Sequence, residues 1–155
     1  MGVLMTATDL VELAMQVEKS GEAFYVTVAK KSKTAKLREL FEDLREQEVK
    51  HYAVFAKLAE TVRDSPVMAD DRDEYLEYVN ATIQGALFQG PDKALTVAKE
   101  ITSEKEAVRM ALGFEKETLL FFHSLRGAVH GMDQAYVDRI IAEERSHVRR
   151  LAAIL

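Results

Sequence analysis

Glu48 and His51 bound the run EVKH, and Glu144 and His147 bound the run ERSH, each inside a long helical pattern. A helix turns by about 100° per residue, so side chains three apart share a face, and a carboxylate and an imidazole placed so can grip one metal ion together. Two such pairs suggest two ions.

Each pair is preceded by a similar helix. AMQVEKSGEAFY, residues 14–25, superimposes on ALGFEKETLLFF, residues 111–122, with Glu18 over Glu115, Lys19 over Lys116 and Phe24 over Phe121. Glu18 stands 30 positions before Glu48 and Glu115 stands 29 before Glu144, so the chain is a diverged repeat whose halves each supply a lone Glu and then a Glu-x-x-His pair. Two lone glutamates plus two such pairs are the ligand set of a four-helix di-iron carboxylate site.

The residues around these six argue that they point inward. Glu144 and His147 interrupt the apolar stripe Val137, Ile140, Ile141, Val148 and Leu151, and Glu48 and His51 interrupt the stripe Leu37, Leu40, Phe41, Leu44, Phe55 and Leu58. Glu18 lies between Ala14 and Tyr25, and Glu115 between Ala111 and Phe122. A solvated helix face is the ordinary reading of any one Glu, but four carboxylates buried together require protonation, paired cations or bound metal. Two divalent ions would neutralise them.

Other polar residues read as less specific. Glu22 lies one turn from Glu18 and is read as solvated, with an extra ligand or an entry path as the alternative. Tyr25 and Phe122 occupy matching places two turns beyond the lone glutamates and are read as core plugs, with a hydrogen-bonding or redox role open to the Tyr25 hydroxyl. His123 and His130 near the end of the third core helix read as structural, where a cation suits the helix dipole.

These elements need long helices to carry them. The first is expected from about Asp9, whose spacing to Glu12 fits a capping box, to Lys31, followed by a turn at KKSKT. The second runs from about Thr34 to Arg63 and ends at Asp64, Ser65 and Pro66. Next comes a long connection with a helix from about Asp71 to Phe88 and a shorter one after Gly90 and Pro91. Ser103 and Glu106 cap a third core helix ending near His130 with Gly131 as its C-terminal turn, and Asp133 caps the last. Residues 1–155 are thus read as a single all-α domain, a ferritin-like four-helix bundle with a long helical crossover between its second and third core helices.

Composition narrows the chemistry. The 155 residues include no cysteine, which excludes disulfides, iron–sulfur clusters and thiolate zinc sites, so any metal must be held by oxygen and nitrogen. A net charge of −5 supplies no basic surface for nucleic acid, and no apolar run is long enough to span a membrane. The start, MGVLMTATDL, lacks the basic region of a signal peptide, so a cytoplasmic location is expected; Gly2 and Thr6 match the short N-myristoylation pattern, which matches by chance too often to carry weight.

Through EKSGEAFY from Glu18, EVKH from Glu48, EKETLLFF from Glu115 and ERSH from Glu144, the whole chain resembles the rubrerythrin-like branch of the ferritin-like superfamily. The resemblance implies that Glu18 and Glu115 are terminal ligands of two iron ions, that Glu48 and Glu144 bridge them, and that His51 and His147 cap one iron each. Manganese or zinc would suit the same donors. It further implies an oxidoreductase that reduces peroxide, or dioxygen, and a homo-oligomer, expected to be a dimer. With no cysteine for a rubredoxin centre, the electrons are expected from a separate donor protein such as a rubredoxin. Rubrerythrins also place a second glutamate three residues from the lone one of the third core helix, where this chain has Leu112 and Thr118. Ferroxidase or iron handling, and a bundle that keeps metal only to hold its core, are the alternatives.

Overall fold

The structure is a computed structural model and describes residues 6–62 and 72–155. Among these residues it contains six helices and no strand: α1 (Ala7–Lys31), α2 (Ala35–Thr61), α3 (Arg72–Thr82), α4 (Pro91–Glu100), α5 (Glu104–Ala128) and α6 (Met132–Ala152), with a 3₁₀ turn at Ala86–Gln89. The four long helices α1, α2, α5 and α6 form the bundle, and α3, the 3₁₀ turn and α4 lie in the crossover. No helix among the described residues is long and apolar enough to cross a membrane.

Two polar locks set the direction of the crossover. The Lys31 ammonium donates to the carbonyls of Ala98, Lys99 and Ile101, so the end of α1 caps the end of α4. Glu104 accepts from the backbone N–H of Lys33 and Thr34, at 2.6 and 2.8 Å, and from the Thr34 hydroxyl. The first turn of α5 therefore holds the first turn of α2, and these two helices start from the same end of the bundle. A parallel second and third core helix is what a ferritin-like connection requires.

The helix ends differ in detail from the sequence reading. The capping box of α1 lies three residues earlier: Asp9 N–H donates to Thr6 Oγ1, and the Asp9 carboxylate accepts from Thr6 N–H at 2.8 Å. Asp9 has the right chemistry at either end of such a box, and Ala7 and Leu10, which must be buried, decide the register. α2 ends at Thr61, and the expected stop at Asp64–Pro66 lies outside the described residues.

The helix read as reaching Phe88 stops at Thr82. Gly85 follows, and the carboxylate of Glu117 sits where a Cβ at Gly85 would stand, so the chain bends there against α5. α4 opens with Pro91 in its first turn, and Ser103 caps α5 by accepting from Glu106 N–H at 3.1 Å, both as read. α5 ends at Ala128, two residues early. Gly131, with φ of +60°, is the N-terminal boundary of α6 rather than the end of α5, and Asp133 lies within the first turn of α6. The left-handed backbone needed to reverse the chain costs glycine nothing.

Two apolar clusters fill the bundle. One gathers Leu10, Val11, Ala14 and Val17 of α1, Phe55 and Leu58 of α2, Phe121, Phe122 and Leu125 of α5, and Val137, Ile140 and Ile141 of α6. The other gathers Phe24, Tyr25 and Val28 of α1, Leu37, Phe41 and Leu44 of α2, Ala107, Val108 and Ala111 of α5, and Leu151 of α6. In every core helix the chain passes from one cluster to the other, and the passage occurs at Glu18, at Glu48 and His51, at Glu115, and at Glu144 and His147.

Candidate metal centre

The six side chains singled out from the sequence are all buried and meet in one layer between the two apolar clusters. They form two overlapping groups in which one donor atom from each residue lies within 4.8 Å of the others: Glu18, Glu48, His51 and Glu144 in one, and Glu48, Glu115, Glu144 and His147 in the other. Glu48 and Glu144 belong to both. Sharing follows from the fold, because the Glu-x-x-His helices α2 and α6 each contribute a carboxylate between the two histidines. The imidazole rings face each other at 5.7 Å between centroids, 21° from parallel.

Both histidines turn Nδ1 inward. His51 Nδ1 lies 2.8 Å from Glu144 Oε1 and 3.7 Å from Glu18 Oε2. His147 Nδ1 lies 2.8 Å from Glu144 Oε2, 3.7 Å from Glu115 Oε1 and 3.9 Å from Glu48 Oε1. On the outer side, His51 Nε2 is 2.8 Å from Glu143 Oε2.

Burial governs the charge state. It pushes Glu18 and Glu48 well above the usual carboxylate range; for Glu18 the adjoining Glu48 opposes this and the charges of Glu144 and Glu115 add to it, while for Glu48 the charges of Glu18, Glu144 and Glu115 all add. Glu115 is raised to about 7 by burial and by the charge of Glu144, with His147 opposing. Burial acts on Glu144 in the same sense, but its hydrogen bond to His147, the close approach of His51 and the charge of both rings overcome it and hold this carboxyl well below its usual value. Burial would lower both imidazoles, yet the carboxylates, Glu144 above all for His51 and Glu115 with Glu144 for His147, raise them to about 9 and about 10. Of the four carboxylates Glu144 alone is held below its usual range, and it is the one that both imidazoles approach at 2.8 Å.

The donors fit a pair of hard divalent ions. Six buried side-chain atoms among the described residues lack a hydrogen-bond partner, and five of them are Glu18 Oε1 and Oε2, Glu48 Oε1, His51 Nδ1 and Glu144 Oε1. The short approach of His51 Nδ1 to Glu144 Oε1 is off the direction of a hydrogen bond and leaves both atoms unsatisfied, whereas His147 Nδ1 and Glu144 Oε2 are hydrogen-bonded at 2.8 Å. Four carboxylates and two neutral imidazoles balance two divalent charges, and oxygen with imidazole donors suit iron, manganese or zinc.

Three neighbours complete the layer. The Tyr25 hydroxyl donates to Glu115 Oε1, so the core plug of α1 also bonds the lone glutamate of α5. Gly21 faces Glu48 so closely that a Cβ there would stand 2.5 Å from Oε2. Glu143 backs His51. Gly21 and Glu143 escaped the sequence reading. A glycine inside a helix between Glu18 and Tyr25 was the available signal for the first; Glu143 points about 100° away from Glu144 on the helix and reads as solvated until α2 is packed against it.

The remaining candidates lie outside the cluster. Glu22 pairs with Lys19 at 3.2 Å on the helix surface, and His123 and His130 are exposed. Thr118 is buried, and Leu112 packs partly against the second apolar cluster, so neither side of Glu115 offers a further carboxylate at that spacing.

The family model for rubrerythrin matches residues 9–155, the span that carries all six residues and the four core helices except the first two positions of α1. The chain belongs to the rubrerythrin family. Among solved structures, a ferritin-like diiron-carboxylate protein from Thermotoga maritima superimposes with a TM-score of 0.73 at 20% identity, covering 99% of this chain and 97% of that one. At that identity the likeness shows the ferritin-like fold. Comparison with curated proteins gives no match. Rubrerythrin-family membership, the fold and the buried Glu/His layer together support a di-iron protein.

Proposed function

We propose that Glu18, Glu48, His51, Glu115, Glu144 and His147 hold two iron ions and that the centre reduces peroxide with electrons drawn from a separate donor protein. The observation that carries this reading is the pair of overlapping ligand groups sharing Glu48 and Glu144, with five unsatisfied buried donor atoms within them. Bound iron would supply the electrons: each peroxide takes two electrons and two protons and leaves as two waters. Membership of the rubrerythrin family supports peroxide over dioxygen as the oxidant.

The chain's own part is to bind, shield and supply protons. The apolar clusters above and below the layer exclude water and keep the charge interactions strong. The Tyr25 hydroxyl orients Glu115 through its bond to Oε1. Glu143 is partly exposed and touches His51 Nε2, so it links the layer to solvent and is the point at which protons enter.

The test is anaerobic loading with ferrous ion followed by stopped-flow mixing with peroxide or with dioxygen. Faster oxidation by peroxide, with repeated turnover only after a rubredoxin and its reductase are added, is the expected result. Faster oxidation by dioxygen with release of ferric iron would replace this reading by iron handling; no oxidation by either would leave a metal-stabilised bundle.

A further inference from the structure

The two halves of the layer look equivalent in the repeat, but their surroundings are not. His51 donates from Nε2 to Glu143 Oε2 at 2.8 Å, and the other carboxylate oxygen of Glu143 takes the Arg139 guanidinium at 3.4 Å. A proton fixed on Nε2 leaves the Nδ1 lone pair of the neutral ring directed into the layer, where Nδ1 has no hydrogen-bond partner. A carboxylate behind a ligating imidazole also makes it a stronger donor.

The other half lacks this arrangement. Gln47 precedes Glu48 as Glu143 precedes Glu144, so the repeat sets a neutral amide on α2 at the place matching the carboxylate on α6 that backs His51. Among the described residues no hydrogen bond joins Gln47 to His147, and every carboxylate paired with His147 lies on its Nδ1 side. The lone glutamates differ in the same sense. Both oxygens of Glu18 are free of hydrogen bonds, whereas Glu115 Oε1 accepts from Tyr25, which draws electron density from a donor atom. The matching place near Glu18 holds Phe122, which has no hydroxyl to give.

We propose that the two metal positions are unequal, that the one bounded by Glu18 and His51 takes a divalent ion first, and that Glu143 is the positioning residue responsible. The inference rests on the reading of the six residues as ligands. It concerns the order and affinity of loading, which the family and the fold leave open.

Anaerobic titration of the metal-free protein with cobalt(II), followed by visible absorbance and calorimetry, tests it without any turnover. The wild type should bind two ions in separate one-ion steps at least about 10-fold apart, since partners of this kind typically change affinity by about 10–100-fold. His51→Ala should remove the tighter step and His147→Ala the weaker. Glu143→Ala should weaken the tighter step by about 10–100-fold and bring the two together, while Glu143→Gln, which keeps an acceptor without the charge, should fall between. Gln47→Glu should tighten the weaker step.

Glu143→Ala leaves the buried His51 Nε2 without its partner and should lower the melting temperature of the metal-free protein modestly, whereas Glu143→Gln keeps an acceptor for that nitrogen, so a weakened tighter step in the folded Gln variant reports the imidazole. Two equal steps in the wild type, a tighter step lost with His147→Ala, or a tighter step unmoved by Glu143→Ala would overturn the proposal while leaving the ligand reading intact. Failure of the wild type to bind two ions would overturn the ligand reading itself.

Discussion

Replacing Gly21 by Ala should separate stability from metal binding. In the interior of α1, exchange of Gly for Ala ordinarily stabilises a helix by about 1 kcal/mol. Here the added Cβ would stand 2.5 Å from Glu48 Oε2, 3.0 Å from Cδ and 3.3 Å from Cγ. Ordinary contact begins near 3.4 Å, so the carboxylate must retreat by about 1 Å. Metal–ligand distances tolerate only about ±0.2 Å, and Glu48 belongs to both ligand groups, so a shift of this size should weaken both positions together. The metal-free protein should tolerate the shift as the whole carboxylate swings away, since its other oxygen, Oε1, has no hydrogen bond to hold it in place. Metal content after reconstitution and cobalt(II) titration should show Gly21→Ala losing most of its bound metal at stoichiometric loading, while the metal-free melting temperature stays level or rises. A variant that still binds two ions with wild-type affinity would refute the argument that Glu48 is shared and closely confined.

Glu48→Gln and Glu144→Gln should part company: both should lose metal, but only Glu144→Gln should destabilise the metal-free fold, by about 3–5 kcal/mol in denaturant melts, because Glu144 is the ionised partner of both imidazoles and Glu48 is not. Tyr25→Phe should cost about 1–2 kcal/mol by leaving Glu115 Oε1 without its buried donor, and should bring the two cobalt steps closer by strengthening the weaker one; an unchanged melt would show that bond to be idle. Stability of the metal-free protein should fall as pH rises from about 6.5 to about 10. The histidines, raised from 6.5 to about 9 and about 10, contribute fully below their unfolded value and lose that contribution as pH climbs, while Glu115, raised to about 7, and the raised Glu18 and Glu48 also resist deprotonation. Glu144, depressed, acts in the opposite sense only in acid. Calorimetry across that range should show the decline without metal and a flatter profile with it, since metal displaces the same protons; a melting temperature that rises with pH in the metal-free protein would contradict the assigned charge states.

The sequence alone determined that six particular side chains belong together, because the relation between Glu48 and His51, or Glu144 and His147, is set by the pitch of one helix, and the repeat supplies Glu18 and Glu115 in matching places. It also determined the order of long helices and crossover, since apolar stripes and end signals such as Ser103 and Pro91 are local. Helix ends were less legible where two neighbouring residues offer the same chemistry, as at Thr6 and Asp9, or where a backbone reversal at Gly131 serves the helix after it. Only the tertiary structure decided what lies between helices: that Glu143 of α6 reaches His51 of α2, that Tyr25 of α1 bonds Glu115 of α5, that Gly21 makes room for Glu48, and that Glu144 alone of the four carboxylates is held below its usual range. These depend on the height and rotation at which helices pack and on how deeply each group is buried, and neither is written in the spacing of residues along any one helix.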